Sequence, residues 1–152
     1  MNLKHELPKF FFLMAAMFFQ VGCSGSGQAD YELKSVSGTI TFEGQPVENA
    51  SVVFDAPSGA RAFGLTDSMG QFQLETHRYG KGAPAGEYLV KVLSKEDTKV
   101  KDSSQPLEIS MLYQENGVAK VVVTDENESR FTFDLKKSPD EDDVISSISG
   151  EG

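Results

Sequence analysis

The chain has 152 residues, 39% of them hydrophobic and 24% charged, which is typical of a folded protein with one domain. Its formal net charge is −9, and acids interrupt the densest basic run, Lys95 to Asp102, so the surface repels phosphate and nucleic-acid binding is excluded. A single cysteine excludes an intramolecular disulfide and, with only two histidines, a cysteine–histidine zinc site. We expect no metal and no cofactor.

The first 22 residues have the pattern of an export signal. Two lysines precede an unbroken apolar run from Phe10 to Phe19, which is about half the length that a bilayer-spanning helix needs. A buried helix of the folded domain is the alternative, but this run is apolar on all sides and has no polar face to present to water. We therefore interpret residues 1–22 as a signal peptide.

The end of this segment, "QVGCS", resembles the lipobox of bacterial lipoprotein precursors. Val21, Gly22 and Cys23 match that pattern, whereas Gln20 stands where the family usually has leucine or another aliphatic residue. The resemblance implies lipid attachment at Cys23, and with it membrane anchoring in the bacterial cell envelope, on the outer-membrane or periplasmic side. An ordinary secretory cleavage near the same place is the alternative, and it would leave Cys23 as a free thiol.

Residues 23–35 contain the small and polar stretch "SGSGQA", Ser24 to Ala29, which shows no periodicity. Chains rich in glycine and serine behave as flexible coils. The segment is therefore predicted to be a tether between the anchor and a folded domain.

From Val36 the hydrophobic pattern alternates with period two, which is typical of a half-buried strand. Six further segments have strand character, and no segment has a useful helical period, so antiparallel pairing is favoured over a parallel sheet with crossover helices. Gln105 to Gly117 is less regular and is predicted to be mostly loop. The seven predicted strands are Val36 to Phe42, Ala50 to Asp55, Arg61 to Thr66, Gln71 to Thr76, Glu87 to Ser94, Val118 to Thr124 and Phe131 to Leu135.

Seven short strands predict an all-β fold, a seven-stranded antiparallel β-sandwich of immunoglobulin-like size over residues 36–136. The stretches "VSGTITFEGQPVENASVVFD", "GLTDSMGQFQLET" and "GAPAGEYLVKV" resemble the carboxypeptidase regulatory-like domain, a transthyretin-like sandwich common in short bacterial envelope lipoproteins. The motif residues form turns or anchor the core, so the resemblance implies a fold and no catalyst. They are Gly44, Pro46, Val47, Asp67, Gly70, Phe72, Pro84, Gly86 and Tyr88.

Catalytic residues are scarce in this sequence. A purine-pathway hydrolase has a transthyretin-like fold, but its C-terminal Tyr-Arg-Gly-Ser is absent here, and no Gly-x-Ser-x-Gly nucleophile motif is present. Outside the predicted signal peptide His77 is the only histidine, beside Arg78 in a predicted loop, where a lone histidine is more often solvated than catalytic. We expect that the chain is not an enzyme.

Two acidic segments, Thr124 to Ser129 and Asp140 to Asp143, offer oxygen ligands for calcium. Neither has the alternating acids, central glycine and final glutamate of an EF-hand loop. We predict that the first segment turns the last hairpin, with Asn127 near its tip, and that residues 137–152 form a disordered acidic tail.

These patterns favour a non-enzymatic, lipid-anchored envelope protein whose β-sandwich is a binding or structural module. Its expected partners are the membrane, through the N-terminal lipid, and an envelope protein or polysaccharide. A calcium-dependent adhesive domain and a transthyretin-like hydrolase are the alternatives.

Overall fold

The computed structural model describes residues 32–126 and 128–139, and the backbone of residues 146–149. Each of the seven predicted strand segments contains a strand, and short strands and one helix occur between them. The elements are β1 (Leu33–Phe42), β2 (Gln45–Glu48), β3 (Ser51–Asp55), β4 (Arg61–Leu65), β5 (Gln71–Gln73), β6 (Glu75–Thr76), β7 (Gly80–Lys81), β8 (Ala83–Pro84), β9 (Gly86–Leu93), β10 (Lys99–Val100), α1 (Met111–Glu115), β11 (Ala119–Val123), β12 (Glu128–Leu135) and β13 (Ser146–Ser149).

The strands form two sheets, as predicted for an all-β fold. The first has the order β10-β2-β1-β12, with β5 and β8 also paired to β1, and the second has the order β13-β11-β9-β3-β4-β6-β7. Most neighbours are antiparallel, but β1 pairs with β12 in parallel, and so does β11 with β13. Period-two alternation does not reveal these parallel pairs, because it determines which face of a strand is buried and not the direction of its neighbour.

One hydrophobic core lies between the two sheets. Val36 and Ile40 of β1 point into it from the first sheet, and Val52 and Val90 point into it from the second; all four are fully buried. The alternation predicted from the sequence therefore identifies the buried face of each sheet.

The chain passes from the first sheet to the second at Leu74. β5 pairs with β1 and β6 pairs with β4, and between them the Leu74 amide donates to the Val36 carbonyl at 2.9 Å while the Leu74 carbonyl accepts from Gly82 N at 2.7 Å. The Leu74 side chain is fully buried. The segment from β5 to β6 therefore bends from the first sheet into the second, and we call this bend the corner.

The motif residues Asp67 and Gly70 form a turn between β4 and β5, but these two strands pair in different sheets, so the turn does not close a hairpin. One carboxylate oxygen of Asp67 accepts from the amides of Met69 at 2.8 Å and Gln71 at 2.9 Å, and Gly70 has a φ of 73°. Positive φ is readily adopted by glycine, and an aspartate side chain that accepts from the backbone two residues on closes such turns.

The first strand begins earlier than predicted, because Leu33, Lys34 and Ser35 belong to β1 although the sequence placed them in the tether. Leu33 and Lys34 pair with β8, and the Lys34 ammonium lies 2.8 Å from a Glu32 carboxylate oxygen. The hydrogen bond from Lys34 and its positive charge lower the pKa of Glu32. A strand with a buried lysine does not show the alternation that marks strands in a sequence.

The segment predicted to be mostly loop contains α1. Its N-cap Ser110 accepts from the Leu112 amide at 3.3 Å, and its Tyr113 is buried, with a hydroxyl that accepts from the Lys136 amide at 3.1 Å. Five residues are too few to show a helical period, so tertiary packing decides this element.

Several predictions concern residues at the ends of the chain. β13 lies within the range 137–152 that was predicted to be a disordered tail, and for those four residues the structure has a strand instead. The signal peptide, Cys23, the tether up to residue 31, Asn127 and the acids of Asp140 to Asp143 lie outside the described residues. The hairpin predicted around Asn127 is wrong, because β11 belongs to the second sheet and β12 to the first. No helix in the described ranges is long and apolar enough to cross a membrane.

Candidate functional site

The floor of the candidate site is the middle of β1, from Ser37 to Thr39. This stretch pairs with β5 on one side and with β12 on the other. Aligned residues of neighbouring strands point to the same face, so two rows of side chains cross the outer face of the sheet. The first row is Gln73, Ser37 and Arg130, and the second is Gln71, Thr39 and Thr132.

Gly38 lies on the opposite face of β1 from these two rows and allows β5 and β12 to pack closely against β1. It faces the core, and a Cβ built there would lie 2.6 Å from Cζ of Phe72 and would collide with the Phe131 carbonyl oxygen. Phe72 is itself buried, so its ring occupies the space that a side chain at position 38 would need. A glycine is therefore required for this close packing of β5 and β12 on β1.

A depression of about 520 Å³ lies over this part of the sheet. We call it the hydroxyl–amide depression, because two hydroxyl and two amide side chains line it. That volume is within the range of about 300–1,000 Å³ found for small-ligand sites. The lining residues are Ser37, Gly38, Thr39, Leu65, Asp67, Gln71, Phe72, Gln73 and Arg130.

A second depression of about 350 Å³ adjoins the first across the corner, and we call it the Phe63 depression. Leu65 and Gln73 line both, and the two strands that carry them approach closely: a Cβ on Gly64 would lie 3.0 Å from the Gln73 carbonyl oxygen. The lining residues of the second depression are Ser51, Phe63, Gly64, Leu65, Gln73, Glu75, His77 and Lys95. We refer to both depressions together as the corner groove.

Two apolar side chains are exposed in this otherwise polar groove. Phe63 and Leu65 keep 40% and 49% of their surface exposed, and both lie on the outer face of β4. Scattered exposed apolar residues are normal, but two on one strand face between polar groups form a combination found in ligand sites.

The charged groups beside the hydroxyl–amide depression already have partners. The Arg130 guanidinium donates to Glu128 at 3.2 Å, and the Asp67 carboxylate accepts the two turn amides. Ser37 differs, since its Oγ is shielded from solvent and has no hydrogen-bond partner in the part of the chain that the structure describes. An unsatisfied buried hydroxyl is costly and is uncommon in folded proteins.

Of the residues considered for catalysis, His77 and Arg78 are both exposed and lie in the turn between β6 and β7. His77 lines the Phe63 depression with Glu75 and Lys95, while Arg78 adopts a positive φ of 70°. The structure therefore brings His77 to the groove, but it places no described cysteine or second histidine beside it.

The residues considered for metal binding do not converge in the described part of the chain. Asp125 and Glu126 are exposed, and no group of three or more histidine, cysteine, aspartate or glutamate residues that could hold a metal ion occurs within residues 32–126 and 128–139. The proposed lipid attachment residue, Cys23, lies outside the described residues.

Sequence reasoning singled out Asp67, Phe72 and His77 for other reasons, but it did not identify the other side chains that line the corner groove. The alternation places Ser37 and Gln73 on polar strand faces, but only the strand register shows that they lie beside Arg130, far along the chain. Phe63 follows the buried Ala62 in β4 and therefore lies on the outer face of that strand. This alternation is only a weak sequence signal for an exposed apolar residue at the site.

A scan against protein-family models, a search of curated proteins and a search of solved structures each found no match. Membership of the carboxypeptidase regulatory-like family thus stays a prediction from the motif residues.

Proposed function

We propose that this chain is a non-enzymatic, lipid-anchored protein of the bacterial cell envelope, whose β-sandwich binds another envelope component through the corner groove. The observation that carries the binding role is the exposed pair Phe63 and Leu65, which line two adjoining depressions together with polar side chains. Binding sites combine apolar surface with a few placed polar groups, and this surface has both.

The fold is proposed to be a seven-stranded, transthyretin-like sandwich of immunoglobulin-like size, with the short additional strands as extensions. Two local features support this. The Asp67 to Gly70 turn has the geometry that the family motif implies, and the buried Tyr88 donates its hydroxyl hydrogen to the Pro84 carbonyl at 2.8 Å. The motif positions form a turn at Asp67 and Gly70 and anchor the core at Tyr88, so they bear on the fold alone.

The anchor is proposed to be a lipid on Cys23, on the strength of the lipobox resemblance. One acyl chain binds membranes only marginally, whereas two or three anchor a protein stably. Mass spectrometry of the mature N-terminus tests this: we expect a chain that begins at a lipid-modified Cys23, and a Cys23→Ser variant that loses its membrane association. An unmodified Cys23, or a mature chain that begins elsewhere, would contradict the anchor and leave the binding role untouched.

Cross-linking in intact envelopes tests the binding role. We expect the wild-type chain to capture a defined component and a Phe63→Ser, Leu65→Ser double variant to lose it, because the variant removes the exposed apolar pair. Met111→Ser is the matched control, since Met111 is 61% exposed but lies outside both depressions.

Two outcomes would contradict the binding role. Capture that is equal for the wild type and the double variant would exclude the corner groove as the contact surface. Capture that a calcium chelator abolishes would favour the adhesive alternative, in which a cation joins the two partners.

A further inference from the structure

We propose that the hydroxyl–amide depression recognises a neutral, hydroxyl-rich polysaccharide. This inference rests on the proposed binding function and names the ligand class. It follows from four properties of the depression: its backbone pairing, its side-chain chemistry, its charge and its continuity with exposed apolar surface.

The backbone at the floor is already occupied. Ser37, Gly38 and Thr39 pair with β5 and with β12, so this part of β1 offers no free edge to which a peptide strand could be added. Recognition at this floor therefore falls to side chains, which favours a ligand that displays its own polar groups over one that binds through a main-chain ladder.

The side chains on the outer face are hydroxyls and amides. Ser37 and Thr39 lie between Gln73 and Gln71 on one side and Arg130 and Thr132 on the other. A hydroxyl or an amide both donates and accepts hydrogen bonds, as a sugar hydroxyl does, so the groups match in either direction.

Ser37 is a specific position at which a ligand hydroxyl could form a hydrogen bond. Its Oγ is shielded from solvent and lacks a partner among the described residues, although its neighbours in the row are exposed. A ligand hydroxyl would reach this oxygen only after the side chains that cover it move aside, and it would then satisfy a polar group that has no described partner, which contributes to affinity.

The charge of the depression favours a neutral ligand. Arg130 is paired with Glu128, and the Asp67 carboxylate accepts hydrogen bonds from amides of its own turn. The whole chain has a formal net charge of −9. An anionic polymer would be repelled by the whole chain and would find no unpaired cation in the lining of this depression.

The groove continues beyond one sugar unit. Leu65 forms a wall common to both depressions, and Phe63 follows it with 40% of its surface exposed. The C–H faces of sugar rings pack on such apolar side chains while their hydroxyls bind the polar groups. A ligand with repeating units can thus occupy both depressions in turn.

Affinity electrophoresis of the full chain tests the inference, with a soluble glucan, a mannan and a galactan as neutral probes and a polyuronate as the anionic probe. We expect at least one neutral polysaccharide to retard the protein and the polyuronate to have no effect. Gln73→Ala and Ser37→Val should each weaken the retarding interaction about tenfold, because each removes hydrogen bonds to the ligand.

The control is Gln105→Leu, an exposed glutamine outside the corner groove, which should bind as the wild type does. Gln73 is exposed, so Gln73→Ala keeps the test valid if Ser37→Val impairs folding. Failure of all three neutral probes, equal retardation by the polyuronate, or binding unchanged by Gln73→Ala would each overturn the inference. If a protein is instead captured through Phe63 and Leu65, the ligand class is wrong and the proposed binding function stands.

Discussion

The ring of Phe54 on β3 packs against the ring of Phe131 on β12, with centroids 5.7 Å apart and planes tilted by 54°. The two residues belong to different sheets, so this contact joins the two sheets across the core. Phe54 also lies 6.3 Å from Phe72 and 5.8 Å from Tyr88, centroid to centroid, which places it at the centre of the aromatic core.

Phe54→Ala should therefore be among the most destabilising single substitutions in this chain. Removing a fully buried phenylalanine costs the transfer energy of the ring and leaves a cavity, together about 3–5 kcal/mol of unfolding free energy. Urea denaturation followed by circular dichroism measures the change. Phe63→Ala on the outer face is the control, with an expected loss of about 1 kcal/mol or less, and equal losses for the two variants would contradict the assigned core.

Two turn glycines allow the effect of backbone conformation to be separated from that of crowding. Gly44 and Gly70 have nearly the same φ, 79° and 73°, but a Cβ at Gly44 meets no atom within 4 Å, whereas one at Gly70 would collide with the Ile40 carbonyl oxygen. Gly44→Ala should thus cost only the left-handed penalty of about 1–2 kcal/mol.

Gly70→Ala should cost about 1–3 kcal/mol more than Gly44→Ala, because the turn must also move away from β1. That movement stretches the hydrogen bond from the Ile40 amide to the Gly70 carbonyl, now 2.8 Å long. The difference between the two unfolding free energies is the quantity to measure, and a difference near zero would show that the turn does not pack on β1 as described.

The sequence predicted the faces of the strands better than their partners. Val36 and Ile40 were placed on one face by alternation, and both are fully buried. The parallel pairing of β1 with β12 was not predictable in the same way, because the alternation of Phe131 and Phe133 is equally compatible with an antiparallel neighbour.

The candidate site was less predictable than the fold for a related reason. Ser37, Gln73 and Arg130 form one row only because two separate strand registers align them on β1. Each residue alone is an ordinary polar position on a solvated strand face, so no local pattern distinguishes it. The turn at Asp67 was predictable because its hydrogen bonds involve residues only a few positions apart.

Thr98 should stabilise the connection between β9 and β10 through its hydroxyl. Thr98 is fully buried, its Oγ1 donates to the Asn49 carbonyl at 2.8 Å, and it accepts from the Lys95 amide at 2.6 Å. Thr98→Val keeps the shape but leaves both backbone groups without this partner, at a cost of about 1–3 kcal/mol.

Thr98→Ser is the matched variant, because it keeps the hydroxyl and loses only a methyl group, worth about 0.8 kcal/mol. Thermal unfolding of both variants should rank the serine above the valine in stability. The reverse order would mean that the methyl group matters more than the two hydrogen bonds.

The Glu32–Lys34 pair should make stability depend on acid pH. Lys34 lowers the pKa of Glu32 in the folded chain below its ordinary value of 4.5, so folding favours the ionised carboxylate. The stabilisation is therefore complete above the unfolded-state pKa and is lost as the pH falls through the lower, folded-state pKa. Glu32→Gln should be less stable than the wild type at pH 7, and the two urea midpoints should converge in acid. Because Glu32 is exposed, 1 M salt should shrink the gap at pH 7. A gap that stays constant with pH, or widens in acid, would rule out the ion pair as its source.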